Sequence, residues 1–425
     1  MDRPLTDQGA EAPAPEPPEQ PGALPPAPTP QPGRLSVVAP PLAAWMGSNL
    51  FYWLSATRNG WDYLSPATHI RWDSNQYLRI ARQGYFAQPC GPDFPGAHFR
   101  PTDLCGNVNW FPGYPALIHV LHLAGVPSDW AGLLLTEAFT LGVLAVLWWL
   151  LGGRLRPLSG CLLALAALFP GSIYYHAVFP MSLSVFAALL CLALLGQRLW
   201  LRSGLAGAVA ATAYPTNVLL APAAALGALL GHGHLQPRIL PGLLARIALC
   251  AAVICLGLAA VEVLQHRDTG VWNAWAKGEA KYGAGVHNPI DTIGAITGPV
   301  PESLRALART PQARQAQVRR QTAERRQFML VTALVAASVV VVVARWSRTT
   351  TPDRAALVYG LLFWLAPLVS GAGISQYRPQ SLLLPVLIPL RHLPRWLWPL
   401  AAAGVVVAGW VAWQMAPLFY SSTLI

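Results

Sequence analysis

Residues 131–151 read AGLLLTEAFTLGVLAVLWWLL, an apolar run with a single ionisable side chain, Glu137. A helix of about 20 such residues is long enough to cross the roughly 30 Å hydrocarbon core of a bilayer. Similar runs recur along the 425-residue chain, in which only 11% of residues are charged. An average soluble domain has about 25% charged residues. The sequence therefore predicts an all-α polytopic membrane protein.

Apolar stretches of suitable length indicate about eleven transmembrane helices. Their predicted positions are 35–54, 131–151, 158–177, 180–197, 203–214, 216–231, 243–264, 327–344, 355–371, 379–391 and 397–416. Several are short, and four prolines lie near their ends, at Pro170, Pro180, Pro215 and Pro379. Irregular backbone at membrane depth must be shielded by protein. The prolines therefore indicate broken helices that pack against other helices.

Two regions differ in composition. Residues 1–34 are rich in proline and poor in apolar side chains, so they cannot bury enough surface to offset the entropy of ordering. They are predicted to form a disordered cytoplasmic tail. Residues 35–425 are predicted to form the transmembrane domain.

Positive charges indicate the orientation of the helices. The chain has 29 Lys and Arg against 18 Asp and Glu, and arginines occupy alternate short connections, at 154, 156, 198, 202, 238, 345, 348, 354, 391 and 395. By the positive-inside rule these connections are cytoplasmic. Two long loops, residues 55–130 and 265–326, then lie on the outer face, with run 111–125 as a re-entrant or surface helix. The charge excess is a topology signal, and nucleic acid is not predicted as a partner.

The cysteines and histidines indicate no metal site. Six cysteines occur without a CxxC pair, and the histidines lack ligand spacing, so no metal or cofactor is predicted. Cys90 and Cys105 share the first outer loop and can form a disulfide if that loop faces an oxidising compartment. The sequence leaves this pairing open.

Residues 69–85 read HIRWDSNQYLRIARQGY. As a helix, this stretch places Trp72 and Arg79 on one side and Tyr77 and Ile80 on another, an amphipathic pattern suited to the membrane surface. Asp73 stands at its start. There it can cap the helix or serve a chemical role.

A second motif, NVNWFPGYP at residues 107–115, places aromatics and two prolines before an apolar helix. It is also typical of an interfacial aromatic belt. Glu137 is a further candidate, because an ionisable group inside a membrane span is costly. Its alternative is a helix-packing role.

Together, the patterns WDSxxYxxIAxxGY at 72–85 and WFPxYPxLI at 110–118 resemble the PIG-V family of GPI mannosyltransferase II-like proteins, particularly its actinobacterial members. The resemblance implies a GT-C type fold and an inverting transfer of mannose from a polyprenyl-phosphate donor, which is a co-substrate. The acceptor would be a glycan, a glycolipid or a protein. Transfer would take place on the extracytoplasmic face of a bacterial plasma membrane.

The family's Trp-Asp pair maps onto Trp72 and Asp73, which implies that Asp73 is the catalytic base. Arg71, Arg100 and Arg378 are candidates to stabilise the leaving phosphate. Arg71 can equally be a surface cation, and Arg378 can snorkel towards lipid headgroups. The predicted substrate-binding residues are Arg71, Trp72, Tyr77, Arg100, Trp110, Tyr114, Glu137 and Arg378.

The chain departs from the resembled family at two places. It reads MSLS at 181–184, where relatives tend to have a Ser-Glu pair, and YPTN at 214–217, where they tend to have Arg-Pro-Thr-Gly. Two alternatives to an active enzyme therefore stay open. They are a non-catalytic partner subunit and a lipid or sugar transporter.

Seven arginines lie just before the predicted span 327–344, at 305, 309, 314, 319, 320, 325 and 326. They predict a solvated basic helix, or a segment that lies along the outer leaflet and meets anionic lipid.

Overall fold

The computed structural model describes residues 34–91, 99–232, 240–283, 285–299, 310–371 and 377–422. The predicted tail lies outside these ranges, apart from Arg34, at which the first helix begins. Arg305 and Arg309 of the predicted basic segment also lie outside them.

Helices make up most of the described chain. The α-helices are α1 Arg34–Arg58, α2 Pro66–His69, α3 Ser74–Gln83, α4 Gly113–Leu123, α5 Ser128–Leu150, α6 Pro157–Ala167, α7 Met181–Gly196, α8 Trp200–Ala213, α9 Leu220–Gly231, α10 Leu240–Thr269, α11 Ala274–Ala280, α12 Pro289–Thr297, α13 Pro311–Ala344, α14 Thr351–Ser370, α15 Tyr377–Gln380 and α16 Trp398–Tyr420. Short 3₁₀ segments lie between them, at Ser172–Tyr175, Pro215–Leu219, Trp346–Arg348, Ser381–Leu387, Pro389–His392 and Arg395–Leu397.

Among the described residues, five segments are long and apolar enough to cross a membrane. They are Ser128–Leu150, Leu240–Thr269, Arg314–Ala344, Thr351–Ser370 and Arg395–Tyr420. Three shorter apolar helical segments lie among them, at Pro157–Ala167, Met181–Gly196 and Pro215–Gly231. The chain is thus an all-α, membrane-embedded protein. The count of eleven spans and the GT-C fold stay predictions.

The helices break near the prolines, as predicted. Helix α6 ends at Ala167, before Pro170, and α7 begins directly after Pro180. Pro215 opens a 3₁₀ segment after α8 ends, since a proline ring has no N–H and clashes with the preceding turn. The stretch from Phe169 to Val185 is buried throughout. Its irregular backbone is shielded by neighbouring helices.

Small residues bring α8 and α10 together. A Cβ added to Gly257 of α10 would lie 2.4 Å from the carbonyl oxygen of Ala208 in α8, and one added to Gly207 would lie 2.5 Å from Cγ1 of Ile254. Such small-residue contacts are typical of membrane helix pairs, because they allow close backbone approach.

The helix ends form two groups, and each group joins residues that the sequence assigns to the same face. At the predicted inner end, Arg391 donates to the carbonyl of Leu150 and, over 2.8 Å, to Asp353. At the predicted outer end, Arg71 donates to the carbonyl of Tyr420 over 2.9 Å. Residues predicted to share a face therefore contact one another.

The run at 111–125 forms the 11-residue helix α4. At 1.5 Å per residue it is about 16 Å long, well short of a bilayer core. It buries Tyr114 and Ile118 and contacts α3, α5 and α8. Its length agrees with the prediction that it does not cross the membrane.

The first predicted outer loop contains a small hairpin. Strand β1, Ala87–Pro89, pairs antiparallel with β2, Leu104–Gly106. Cys90, directly after β1, forms a disulfide with Cys105 of β2. The structure thereby forms the pairing that the sequence left open.

One prediction about the basic segment is wrong. Helix α13 runs without interruption from Pro311 to Ala344, because no glycine or further proline breaks it. The arginines from 314 to 326 therefore continue the same helix beyond its apolar run, and this segment does not turn to lie along the leaflet.

Candidate active site

Asp73 occupies the N-cap position of α3, and its backbone carbonyl accepts a hydrogen bond from the N–H of Gln76 over 2.9 Å. Its side chain makes no capping hydrogen bond. The preceding residue, Trp72, has a φ of 43°, a left-handed conformation that is costly for a bulky residue. Helix capping therefore does not account for the carboxylate of Asp73.

That carboxylate is paired with Arg378 of α15. Nη1 of Arg378 contacts Oδ2 of Asp73, and the two side chains are 20% and 23% exposed. Within the described chain, Oδ1 of Asp73 has no hydrogen-bond partner. Arg378 is thus engaged in a specific ion pair with one oxygen of this carboxylate.

Aromatic rings pack beneath this ion pair and form its floor. The guanidinium carbon of Arg378 lies 6.0 Å from the ring centre of Phe179, which packs edge-on against Tyr77 and Tyr174 at 5.8 and 5.1 Å. Tyr77 is buried on α3, and among the described residues its hydroxyl has no partner. As predicted, α3 is amphipathic, with Tyr77 and Ile80 on its buried face.

Arg71 and Trp72 anchor the loop before Asp73 to the end of α16. Arg71 is only 8% exposed, which excludes the surface-cation alternative, and its Nε donates to the carbonyl of Tyr420 over 2.9 Å. Nε1 of Trp72 donates to the carbonyl of Ser422 over 2.8 Å. Both side chains hold the backbone of Asp73 in place.

A second ion pair lies beside Arg378 and was missed by sequence reasoning. On α13, Nε of Arg320 donates to Oε1 of Glu324 over 2.8 Å, and its guanidinium lies 6.0 Å from the ring of Tyr377. Gln327, one turn further along, donates to the carbonyl of Tyr377 over 2.6 Å. The i, i+4 spacing of Arg320 and Glu324 was the available signal, but it is also typical of solvated helices.

The second motif serves mainly to pack α4. The hydroxyl of Tyr114 is fully buried and is 2.7 Å from the carbonyl of Gly132 and 2.8 Å from the hydroxyl of Thr136. The carbonyl of Trp110 accepts from the hydroxyl of Tyr85 over 2.7 Å. The predicted binding residue Arg100 is exposed beside the hairpin, and the structure does not bring it to Asp73.

Glu137 is the centre of a polar network. Its Oε1 is 2.9 Å from Nδ1 of His176, and its Oε2 accepts from Trp45 over 2.8 Å and from Asn49 over 3.1 Å. The carbonyl of His176 is hydrogen-bonded to His69, four residues before Asp73. Glu137 is therefore engaged by protein groups and links α1 and α5 to the loop that carries Asp73.

Another carboxylate missed by sequence reasoning is Glu279 of α11. Its Oε1 accepts from Asn109 over 2.8 Å, and the amide oxygen of Asn109 is sealed from solvent without a partner in the described chain. Burial raises the pKa of Glu279 above its ordinary value of 4.5, against the opposing effects of Asn109 and the charge of Lys281. No spacing in the sequence marks this pair.

The site therefore combines a carboxylate, a guanidinium and an aromatic floor at one end of a membrane-embedded helical protein. A carboxylate can take up a proton, and a guanidinium can bind a phosphate. Among the described residues, no group of three or more His, Cys, Asp or Glu is placed to hold a metal ion. No protein-family model matches the chain, and a comparison with curated proteins finds no match.

Proposed function

We propose that the protein is a membrane glycosyltransferase of the GT-C type that transfers mannose from a polyprenyl-phosphate carrier to an acceptor outside the cytoplasm. The observation that carries this proposal is the ion pair between Asp73 and Arg378. These residues lie 305 positions apart, and the sequence analysis named each of them as a candidate site residue. The transfer needs a base for the acceptor hydroxyl and a cation for the leaving phosphate, and this pair contains one of each.

In the proposed reaction, a hydroxyl oxygen of the acceptor attacks the anomeric carbon of the donor sugar. Asp73 takes the hydroxyl proton as the new bond forms, and Oδ1 is the oxygen available for this step. The bond from the anomeric carbon to the phosphate oxygen breaks, and its electron pair leaves with the polyprenyl phosphate. A single displacement of this kind inverts the anomeric centre and needs no protein nucleophile.

Arg378 would stabilise the leaving phosphate. A guanidinium donates to phosphate oxygens in a bidentate manner, and such charge-assisted bonds are strong away from bulk water. Before the donor binds, Asp73 provides the counter-charge for Arg378. When the phosphate arrives, Arg378 can turn to it and release both oxygens of Asp73.

The disulfide between Cys90 and Cys105 supports an extracytoplasmic location for this site. It lies in the loop that also contains Asp73, and disulfides persist in oxidising compartments. Together with the arginine pattern of the short connections, it favours placing Asp73 outside the cytoplasm.

The proposal predicts that Asp73→Asn abolishes transfer in a folded protein. Removing a general base lowers kcat by about 10²–10⁴-fold. Membranes with each variant would receive radiolabelled polyprenyl-phosphate-mannose, and label released from the carrier would be counted. Asp129→Asn is the matched control, because Asp129 forms the same kind of ion pair with Arg82, over 2.6 Å, at an exposed position.

Release by the wild type and Asp129→Asn, but not by Asp73→Asn, is the expected result. Full release by a folded Asp73→Asn protein would refute the assigned role. No release by the folded wild type would favour another donor or a non-catalytic partner subunit.

A further inference from the structure

A groove of about 580 Å³ lies between α13 and α16. Helix α13 contributes Arg325, Arg326 and Met329 to its walls, and α16 contributes Val407 and Trp410. Thr322 also lines the groove on the side of the two arginines, and the remaining lining side chains are apolar. The groove therefore combines an apolar trough with a cationic end.

The position of the groove within the membrane follows from the apolar run at residues 327–344, which is about 27 Å long as a helix. This length is close to the thickness of the hydrocarbon core, so Arg325 and Arg326 lie at the level of lipid headgroups. Below them, Met329 and Trp410 are 56% and 49% exposed. The trough therefore opens sideways to the hydrocarbon and not to water.

The two arginines are placed differently at this end. Nη1 of Arg326 donates to Oε1 of Gln414 over 2.7 Å, and its guanidinium lies 4.4 Å from the ring centre of Trp410. It thus bridges the two helices. Arg325 is exposed, and its guanidinium makes no hydrogen bond or ion pair within the described chain.

Both walls of the groove lead to the candidate active site. From Gln414, α16 continues for about 9 Å to Tyr420, whose carbonyl holds Arg71. On the other wall, Gln327 follows Arg326 and donates to the carbonyl of Tyr377, the residue before Arg378. A lipid in the groove would therefore direct its headgroup towards the pair of Asp73 and Arg378.

We propose that this groove binds a polyprenyl phosphate, with the hydrocarbon chain in the trough and the phosphate at Arg325 and Arg326. This proposal rests on the proposed function, for which it identifies the path of the carrier. An apolar chain carrying one anionic head complements both parts of the groove. The carrier enters from the bilayer, its phosphate moves on to Arg378, and the sugar reaches Asp73.

The test measures binding of decaprenyl phosphate, which has no sugar to transfer, to the purified full chain by native mass spectrometry. Met329→Trp fills the trough, Val407→Phe narrows it from the opposite wall, and Arg326→Gln removes a charge at the headgroup end. Leu256→Trp is the matched control, since Leu256 of α10 is 64% exposed and does not line the groove. Thermal unfolding of each variant verifies folding.

We expect about tenfold weaker binding by each folded groove variant and unchanged binding by Leu256→Trp. An added excess of phosphatidylglycerol should not displace the probe. Unchanged binding by the folded groove variants, or equal displacement by phosphatidylglycerol, would overturn the proposal.

The outcomes also separate this proposal from the proposed function. Groove-dependent binding without any mannosyl transfer would support the carrier site and contradict the transferase. Transfer that depends on Asp73, with an unchanged donor KM in the groove variants, would support the transferase and contradict the carrier site.

Discussion

Asp73 and Arg378 show how a single pair of side chains can define a site in a mostly apolar protein. Each residue has an ordinary explanation by itself, a helix cap for Asp73 and lipid snorkelling for Arg378. The structure brings them into contact, with the ring centre of Phe179 6.0 Å from the guanidinium carbon. The contact accounts for both residues, whereas neither ordinary explanation does.

Replacing Arg378 tests the phosphate side of the proposed reaction. We expect Arg378→Gln to lower kcat/KM for the donor by about 10²–10³-fold, as removal of one charge-stabilising donor does in other enzymes. Steady-state release of labelled mannose measures this. Arg82→Gln removes an exposed guanidinium that is paired with Asp129, and it should leave the rate unchanged. Equal losses in the two variants would argue against a specific role for Arg378.

The short elements of the predicted first outer loop are held by contacts with residues that are distant from Asp73 in sequence. Arg71 and Trp72 connect the loop to the last helix, and His69 connects it to the irregular stretch that carries His176. A ten-residue helix is too short to be stable alone. The position of α3, and hence of Asp73, therefore depends on these tertiary contacts.

Replacing Glu137 tests how much such tertiary contacts contribute to the stability of the fold. Glu137→Ala leaves the donors Trp45 and Asn49 and the ring of His176 without their partner, so it should lower the free energy of unfolding by about 3 kcal/mol or more. Asp129→Ala, on the same helix but in an exposed ion pair, should cost no more than about 1 kcal/mol. Denaturation of the purified protein in detergent measures both. A small, equal loss in the two variants would show that the Glu137 network contributes little.

The raised pKa of Glu279 predicts that the stability of the folded protein depends on pH. Because burial raises the pKa of Glu279 in the folded protein, the folded state binds its proton more tightly than the unfolded state does. The stability from this group is fully present below pH 4.5 and is lost as pH rises through the folded pKa.

Thermal unfolding between pH 4 and 8 measures this loss. Relative to Glu279→Gln, the wild type should become less stable as pH rises, whereas Asp291→Asn, which alters an exposed carboxylate of the same predicted loop, should follow the wild type. Parallel curves for the wild type and Glu279→Gln would contradict the prediction.

The molecule as a whole has two polar ends separated by apolar helices. The pair of Asp73 and Arg378 lies at one end, whereas Asp353 and Arg391 lie at the other. Each end joins helix termini that are distant in sequence. The arginine pattern of the sequence predicts that the Asp353 end faces the cytoplasm.

Cysteine labelling tests this orientation. Val286 is 94% exposed in the second predicted outer loop, and Leu155 is 75% exposed in a predicted inner connection. In intact cells, a membrane-impermeant maleimide should label Val286→Cys and not Leu155→Cys, and permeabilised cells should show both. The native Cys255 lies in the apolar span of α10, where such a reagent does not reach. Labelling of Leu155→Cys in intact cells would contradict the assigned topology.

More of the fold than of the candidate site could be predicted from local sequence. The proline-marked helix breaks and the buried face of α3 were predicted correctly, because proline geometry and helical periodicity act over a few residues. The basic segment before residue 327 was partly misread. The density of arginines in a segment does not show which of them face solvent. Arg320, for example, packs against the ring of Tyr377, which belongs to another helix.

Sequence alone determined that this chain is a helical membrane protein, since the cost of burying charge in lipid acts on each stretch independently. It also singled out Asp73, Glu137 and Arg378. Only the tertiary structure decided that Asp73 pairs with Arg378, that Glu137 is engaged by His176, and that a groove lies between α13 and α16. These contacts join distant segments, and their geometry is set by how helices pack, which no local pattern specifies.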